Sequence, residues 1–279
     1  MSAHALGLTA GLLSAAVFGV AAVVQAHAVR RHPETPDRLA GFVVRSVRDG
    51  RMMLVVAAYL VGFVLHAVAI WYLPLYLAQA LVAMSLPVSA LASHRVEHPL
   101  HRAGWVAVAL VTAGLVLLSL GAGDPGSVIT TGRFAVALWV AVALLVVASM
   151  AGRRLAGPLL GLLAGLGYAA SAISVRGVGT PLETAVVAAA LAVPSFSLVA
   201  FWLYSLGMHG TAVPSTTASL IVAQTFVPAA VGVAFLGDEV RAGWWPAVAM
   251  GLALSIVGAL VLAQRHAPDV RSPASPATR

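Results

Sequence analysis

The sequence predicts an all-α, polytopic membrane protein with about nine transmembrane helices in two inverted repeats. Three observations predict it. Hydrophobic residues make up 61% of the 279 residues and charged residues only 9%, with a mean hydropathy of +0.97. A soluble domain carries about 25% charged residues, so this chain cannot cover itself with a hydrated surface. The apolar residues also gather in runs of roughly 20, long enough to cross a bilayer as helices, which satisfy their own backbone groups there. Finally, two stretches of the chain repeat one another in order. Cysteine is absent and every basic residue is arginine, which excludes disulfide and thiol chemistry.

The nine spans fall at about 5–26, 52–72, 74–93, 104–122, 134–151, 157–176, 183–207, 213–236 and 244–264. Span 1 lacks a basic n-region and therefore reads as a span, not a secretory signal. A long basic loop follows it, 27–51. Spans 2 and 3 turn tightly at "YLPLY", where Pro74 can open a helix. Spans 7 and 8 turn at "GMHGTAVP". The tail 265–279, rich in Pro, Ser and Ala, reads as disordered.

The arginines sort by side. Arg30, Arg31, Arg38, Arg45, Arg48, Arg51, Arg95, Arg102, Arg153, Arg154, Arg265, Arg271 and Arg279 belong to the loops after spans 1, 3, 5 and 7 and to the tail. Arg133, Arg176 and Arg241 alone belong to the other side. The positive-inside rule puts the first group in the cytoplasm, hence the N-terminus outside and the C-terminus inside a bacterial cytoplasmic membrane. The same rule explains the positive charge without nucleic acid.

"GLTAGLLSAA" from Gly7 matches "GLLAGLGYAA" from Gly161 at seven of ten positions. "ALVAMSLPVSALA" around Pro87 parallels "SLIVAQTFVPAAVGVA" around Pro228. Each leads through a short charged loop to Arg-Ala-Gly-Trp, at 102–105 and 241–244, and then to a Gly- and Ala-rich helix. The chain divides into a first repeat, 1–122, a linking span, 123–156, and a second repeat, 157–264. Equivalent spans are five apart, and an odd shift reverses direction across the membrane. This is the inverted-repeat plan of many secondary transporters; the alternative is a duplicated, non-transporting membrane scaffold. The pairs Gly7/Gly11 and Gly161/Gly165 have the small-xxx-small spacing that lets helices approach closely.

These features together, with "LGDEVRAGW" ahead of the last helix, resemble the drug/metabolite transporter superfamily and its EamA-like group. The resemblance covers most of 5–264 and is strongest from Ser215 to Ala263. It implies a carrier of small metabolites. The usual member has ten spans, whereas the nine spans and the basic loop after span 1 are similar to the NIPA-like magnesium-transporter branch. "YLVGFVLHAVAIWYLPLYLAQAL" shares that branch's layout, but His66 stands where an acidic residue belongs.

Polar groups inside lipid are costly and often functional. The nine acidic residues all fall in loops or at span ends, which leaves no mid-membrane carboxylate for a divalent cation or for proton coupling. His66 is the one ionisable residue deep in a span. It lies about 10 Å below the turn at Leu73, at 1.5 Å per residue, and Gln79 reaches a similar depth on span 3, so the two can meet. His66 reads either as a proton or substrate site or as a packed, hydrogen-bonded histidine. In span 8, Thr217 and Gln224 share a face, and Pro228 frees the Gln224 carbonyl. On span 6, Tyr168, Ser171 and Ser174 run along one side, lining a pathway or bonding a neighbouring helix. The candidate substrate-binding residues are therefore His66, Gln79, Tyr168, Ser171, Thr217 and Gln224. His94, His98 and His101 cluster after span 3 in an open loop, and no metal site is assigned to them. No catalytic motif stands in the sequence, and no enzyme activity or cofactor is expected. The expected partners are a small-molecule or ion substrate and the lipid bilayer, with a homodimer left open and no nucleic acid.

Overall fold

The computed structural model describes residues 3–30, 48–85, 87–88, 91–92, 102–127, 130–151, 155–207 and 213–265. Most of the basic loop, His94, His98 and His101, and the tail after Arg265 lie outside these described residues.

Among the described residues the chain forms nine α-helices: α1 (Ala3–Arg30), α2 (Gly50–Tyr72), α3 (Leu75–Ala83), α4 (Arg102–Leu120), α5 (Gly132–Ala151), α6 (Gly157–Arg176), α7 (Thr184–Gly207), α8 (Val213–Phe235) and α9 (Trp245–Arg265). Six of them, α1, α2, α4, α5, α6 and α7, are long and apolar enough to cross a membrane. Helices α8 and α9 carry shorter apolar stretches, Ser219–Phe235 and Trp245–Val261. The outer faces are apolar too: Leu60, Val61 and Val64 on α2 and Val136, Leu144, Val147 and Met150 on α5 are exposed. A surface like this drives aggregation in water and is solvated by lipid. The chain has the pattern of a multi-pass membrane protein.

Two local features stand out. In span 3, read as 74–93, α3 meets a turn at Met84, and residues 85, 87, 88, 91 and 92 are again helical, with the Val88 N–H returning to the Met84 carbonyl at 3.1 Å. Pro87 explains the turn, since it cannot donate to the Ala83 carbonyl and its ring crowds that turn. The two Arg-Ala-Gly-Trp segments differ. At 102–105 the tetrapeptide is the first turn of α4, whereas at 241–244 it is a turn ahead of α9, with Gly243 at φ +80. That turn is held by the Trp244 N–H donating to the Arg241 carbonyl (3.0 Å), with the Arg241 guanidinium 6.0 Å from the Trp244 ring centre.

Packing follows the small residues. Helix α1 packs on α2 and α3, and α6 packs on α7 and α8. Helix α3 packs on α8, and α4 on α9; α5 lies at the side against α6 and α7. A methyl group added at Gly7 would meet Tyr72 and Leu73, and one at Gly11 would meet Leu81. Added at Gly161 it would collide with the Thr216 backbone, and at Gly165 with Leu220 and Ala223. In the α4–α9 contact, too, backbone meets backbone. A Cβ at Gly251 would sit 2.8 Å from the Gly114 carbonyl oxygen, and one at Gly258 would sit 2.7 Å from that of Ala107. Such approach maximises dispersion contact where lipid offers no hydrophobic drive between helices.

Gly251→Val wedges α4 from α9 and is expected to cost about 1–3 kcal/mol, the range for overpacking. Thermal melting in detergent reads this as a clearly lowered midpoint; a variant that melts with the parent protein contradicts the close crossing.

Candidate functional site

The α2–α3 hairpin builds the first polar contact. Helix α2 ends as Leu73 N–H bonds the Ala69 carbonyl, and Pro74, at φ −54 and ψ 144, starts α3. The Leu77 and Ala78 N–H groups both return to the Pro74 carbonyl at 3.0 Å. The chain therefore doubles back, and His66 meets Gln79 at 3.2 Å between their Nε2 atoms, with both side chains buried. With the amide nitrogen donating, His66 Nε2 accepts, and the proton of the neutral ring sits on Nδ1. That assignment follows from the hydrogen-bond network. His66 Nδ1 has no hydrogen-bond partner among the described residues.

The other candidates fall on helices around this pair. Helix α2 packs on α3, α3 on α8, α8 on α6 and α6 on α2, so these four helices close a ring, and all six candidates belong to it. Tyr168, half-buried on α6, is an electrostatic neighbour of Tyr59 on α2 and Tyr204 on α7. Tyr59 also lies 5.7 Å from Phe18 and 6.1 Å from Phe201, ring centre to ring centre. Ser171 donates to the Val193 carbonyl (3.2 Å) and pairs with the Ser197 hydroxyl (2.9 Å). It thus joins α6 to α7, while Ser174 bonds the Ala170 carbonyl of its own helix. Gln224 is half-buried on α8, one turn before the buried Pro228. Thr217 lies on α8, its side chain outside the described set; its neighbour Thr216 is buried and donates to the Gly207 carbonyl at 3.1 Å. The structure brings together His66 and Gln79, and it spreads the remaining four over α6 and α8. Among the described residues no three of His, Cys, Asp and Glu gather as a metal site.

A second polar centre was not legible in the sequence. Arg176, at the end of α6, and Asp238, after α8, form a buried ion pair of 2.9 Å, with side chains 4% and 0% exposed. Gly237, at φ +75, terminates α8, and the Asp238 N–H returns to the Gly232 carbonyl (3.0 Å). This glycine-ended helix delivers the carboxylate onto the start of α3. Oδ2 accepts from the Leu75 N–H (2.6 Å), and Oδ1 accepts from the Gly126 N–H (2.9 Å) as well as from Arg176. Helix α3 has no cap of its own at Pro74, so Asp238 supplies one, aided by the positive end of the helix dipole. Arg176 spends two further bonds, on the Leu73 and Gly126 carbonyls, both 3.0 Å. The available signal was that Arg176 stands apart from the arginine-rich side that the sequence assigns to the cytoplasm, against the positive-inside rule, and so calls for a partner.

No family model matches the chain, and neither a curated protein nor a solved structure matches it.

The His66–Gln79 contact is expected to show a coupling energy of about 1 kcal/mol in a double-mutant cycle of His66→Ala and Gln79→Ala, the scale of polar contacts between membrane helices. Additive losses of stability would mean that the two side chains do not bond.

Proposed function

We propose that this chain is a secondary transporter, moving a small molecule across a bacterial cytoplasmic membrane by alternating access between two inverted repeats. The observation that carries this reading is the match between repeated sequence and repeated packing. The aligned glycines Gly7 and Gly161 open equivalent helices: Gly7 presses on Tyr72 and Leu73, in the turn that leads into α3, and Gly161 presses on Thr216 in the first turn of α8. The pairs α1–α2 and α6–α7 correspond, as do α1–α3 and α6–α8, while α3–α8 and α4–α9 join equivalent helices of the two halves. That is the arrangement a two-fold relation generates.

Leu73 supports an inverted relation between the halves. It packs against Gly7 at the start of α1, and its carbonyl binds Arg176 at the end of α6. The equivalent helices α1 and α6 therefore run in opposite senses, as halves of inverted topology do. With the N-terminus outside and the C-terminus inside, the Arg176–Asp238 end faces outward. The ring of α2, α3, α8 and α6 surrounds the pathway, with His66, Gln79, Tyr168 and Gln224 as its neutral polar groups. This plan supports membership of the drug/metabolite transporter superfamily, and it suits a metabolite better than a bare divalent cation, which prefers carboxylate ligands.

The test is expression in a host stripped of exporters and magnesium transporters, challenged with a panel of metabolite analogues and with magnesium limitation. Export of at least one analogue is expected, falling by about tenfold in His66→Ala or Gln224→Ala, the effect of losing one buried hydrogen bond, with protein abundance unchanged. Rescue of growth at low magnesium would move the assignment to a NIPA-like cation carrier. Neither export nor rescue would leave a scaffold.

A further inference from the structure

The Arg176–Asp238 centre ties together the α2–α3 turn, the end of α6 and two loops. The 121–127 loop and the 236–241 loop zip into a short ribbon. Gly123 N–H donates to the Glu239 carbonyl (3.2 Å), Glu239 N–H to that of Asp124 (3.0 Å), and Arg241 N–H to that of Gly121 (3.1 Å). The ribbon then sits on the α2–α3 turn through Asp238 and through the Tyr76 hydroxyl, which donates to the Glu239 carbonyl at 3.0 Å. Arg176 lies between the two bodies, bonding Leu73 on one side and Gly126 and Asp238 on the other. At this end of the bundle a buried charge pair and the donors around it thereby hold these described segments together.

We propose that the Asp238 carboxylate is a tethered plug: seated between the Leu75 N–H, the Gly126 N–H and Arg176, it locks this end of the pathway, which opens only when the carboxylate leaves its seat. The proposal rests on the carrier reading and names the gate of that carrier.

The chemistry makes the lock two-state. Separating the pair while both groups stay dry strands two buried charges, which is strongly unfavourable. Separating it with water entering hydrates both charges at once, so half-open arrangements are the costly ones. The plug also has its own pivots, because the two described glycines with positive φ, Gly237 and Gly243, flank it on either side. The seat itself is specific for a carboxylate, since its donors converge on both oxygens. A small carboxylic acid in solution can therefore stand in for the missing side chain.

The absence of cysteine makes the test clean. Ala172 is buried one turn inward from Arg176, and Ala164 is buried further along the same helix. Each is replaced singly by cysteine, and labelling by a membrane-impermeant maleimide is followed from the Arg176 end in intact cells. Only a thiol reached by water forms the reactive thiolate. Ala172→Cys is expected to label slowly in the parent chain and about tenfold or more faster with Asp238→Asn or Asp238→Ala, a modest share of what an unpaired buried charge costs. Added formate is expected to slow labelling again in Asp238→Ala and to leave Asp238→Asn unchanged, while Ala164→Cys stays protected throughout. Unchanged labelling of Ala172→Cys in a folded Asp238→Asn chain overturns the lock, as does equal exposure of Ala164→Cys, which means general loosening. If Asp238→Ala does not accumulate, the Asp238→Asn comparison decides. Labelling needs no substrate, so it reads the lock independently of whether any flux is found.

Discussion

The contact between Arg176 and Asp238 is where the described architecture converges. A chain with 9% charged residues has few charges to spend, and it places one of each sign where neither touches water. Such a pair is poor evidence of net stability, because desolvation offsets most of the attraction. Removing one partner, however, leaves the other uncompensated at a cost of about 3–5 kcal/mol. The pair therefore fixes position. It sets the α2–α3 turn, the end of α6 and two loops against one another, and the rest of that end follows.

Away from that centre, specificity comes from small residues and neutral hydrogen bonds. Ser14 donates to the Gly62 carbonyl between α1 and α2 (2.8 Å), and Trp71 reaches the Val175 carbonyl (3.3 Å) to join α2 to α6. Each such bond contributes modestly in lipid. Together with the glycine contacts they select one way for the helices to meet. Among the described residues away from that centre, the buried polar side chains are those of histidine, glutamine, serine and threonine.

Much of this was legible in the sequence, for identifiable reasons. Helix positions follow from apolar runs whose length the bilayer dictates, and the observed helices begin and end within a few residues of them. The His66–Gln79 contact follows from the rise per residue and a proline turn, both local. The facing of Gly7/Gly11 and Gly161/Gly165 follows from spacing. What was not legible depends on partners distant in the chain. Arg176 and Asp238 are 62 positions apart, and their meeting requires four segments already in place. The two Arg-Ala-Gly-Trp segments differ because their surroundings differ: Arg241 is fixed by the Gly121 carbonyl beside the Ala122–Val240 bridge, so the tetrapeptide turns there and begins a helix at 102. The turn at Met84 shows a mid-span proline interrupting a helix locally, where the one in α8 leaves its helix continuous.

If the second half is the first turned over, α1 and α6 run oppositely and the number of crossings is odd. The ends of the chain then emerge on opposite faces of the membrane. Short epitope tags at the two termini, probed with antibody in intact and permeabilised cells, measure this directly. The account predicts that the N-terminal tag is bound in intact cells and the C-terminal tag only after permeabilisation. Both tags on one face would contradict the inverted arrangement, and with it the pathway drawn between the halves.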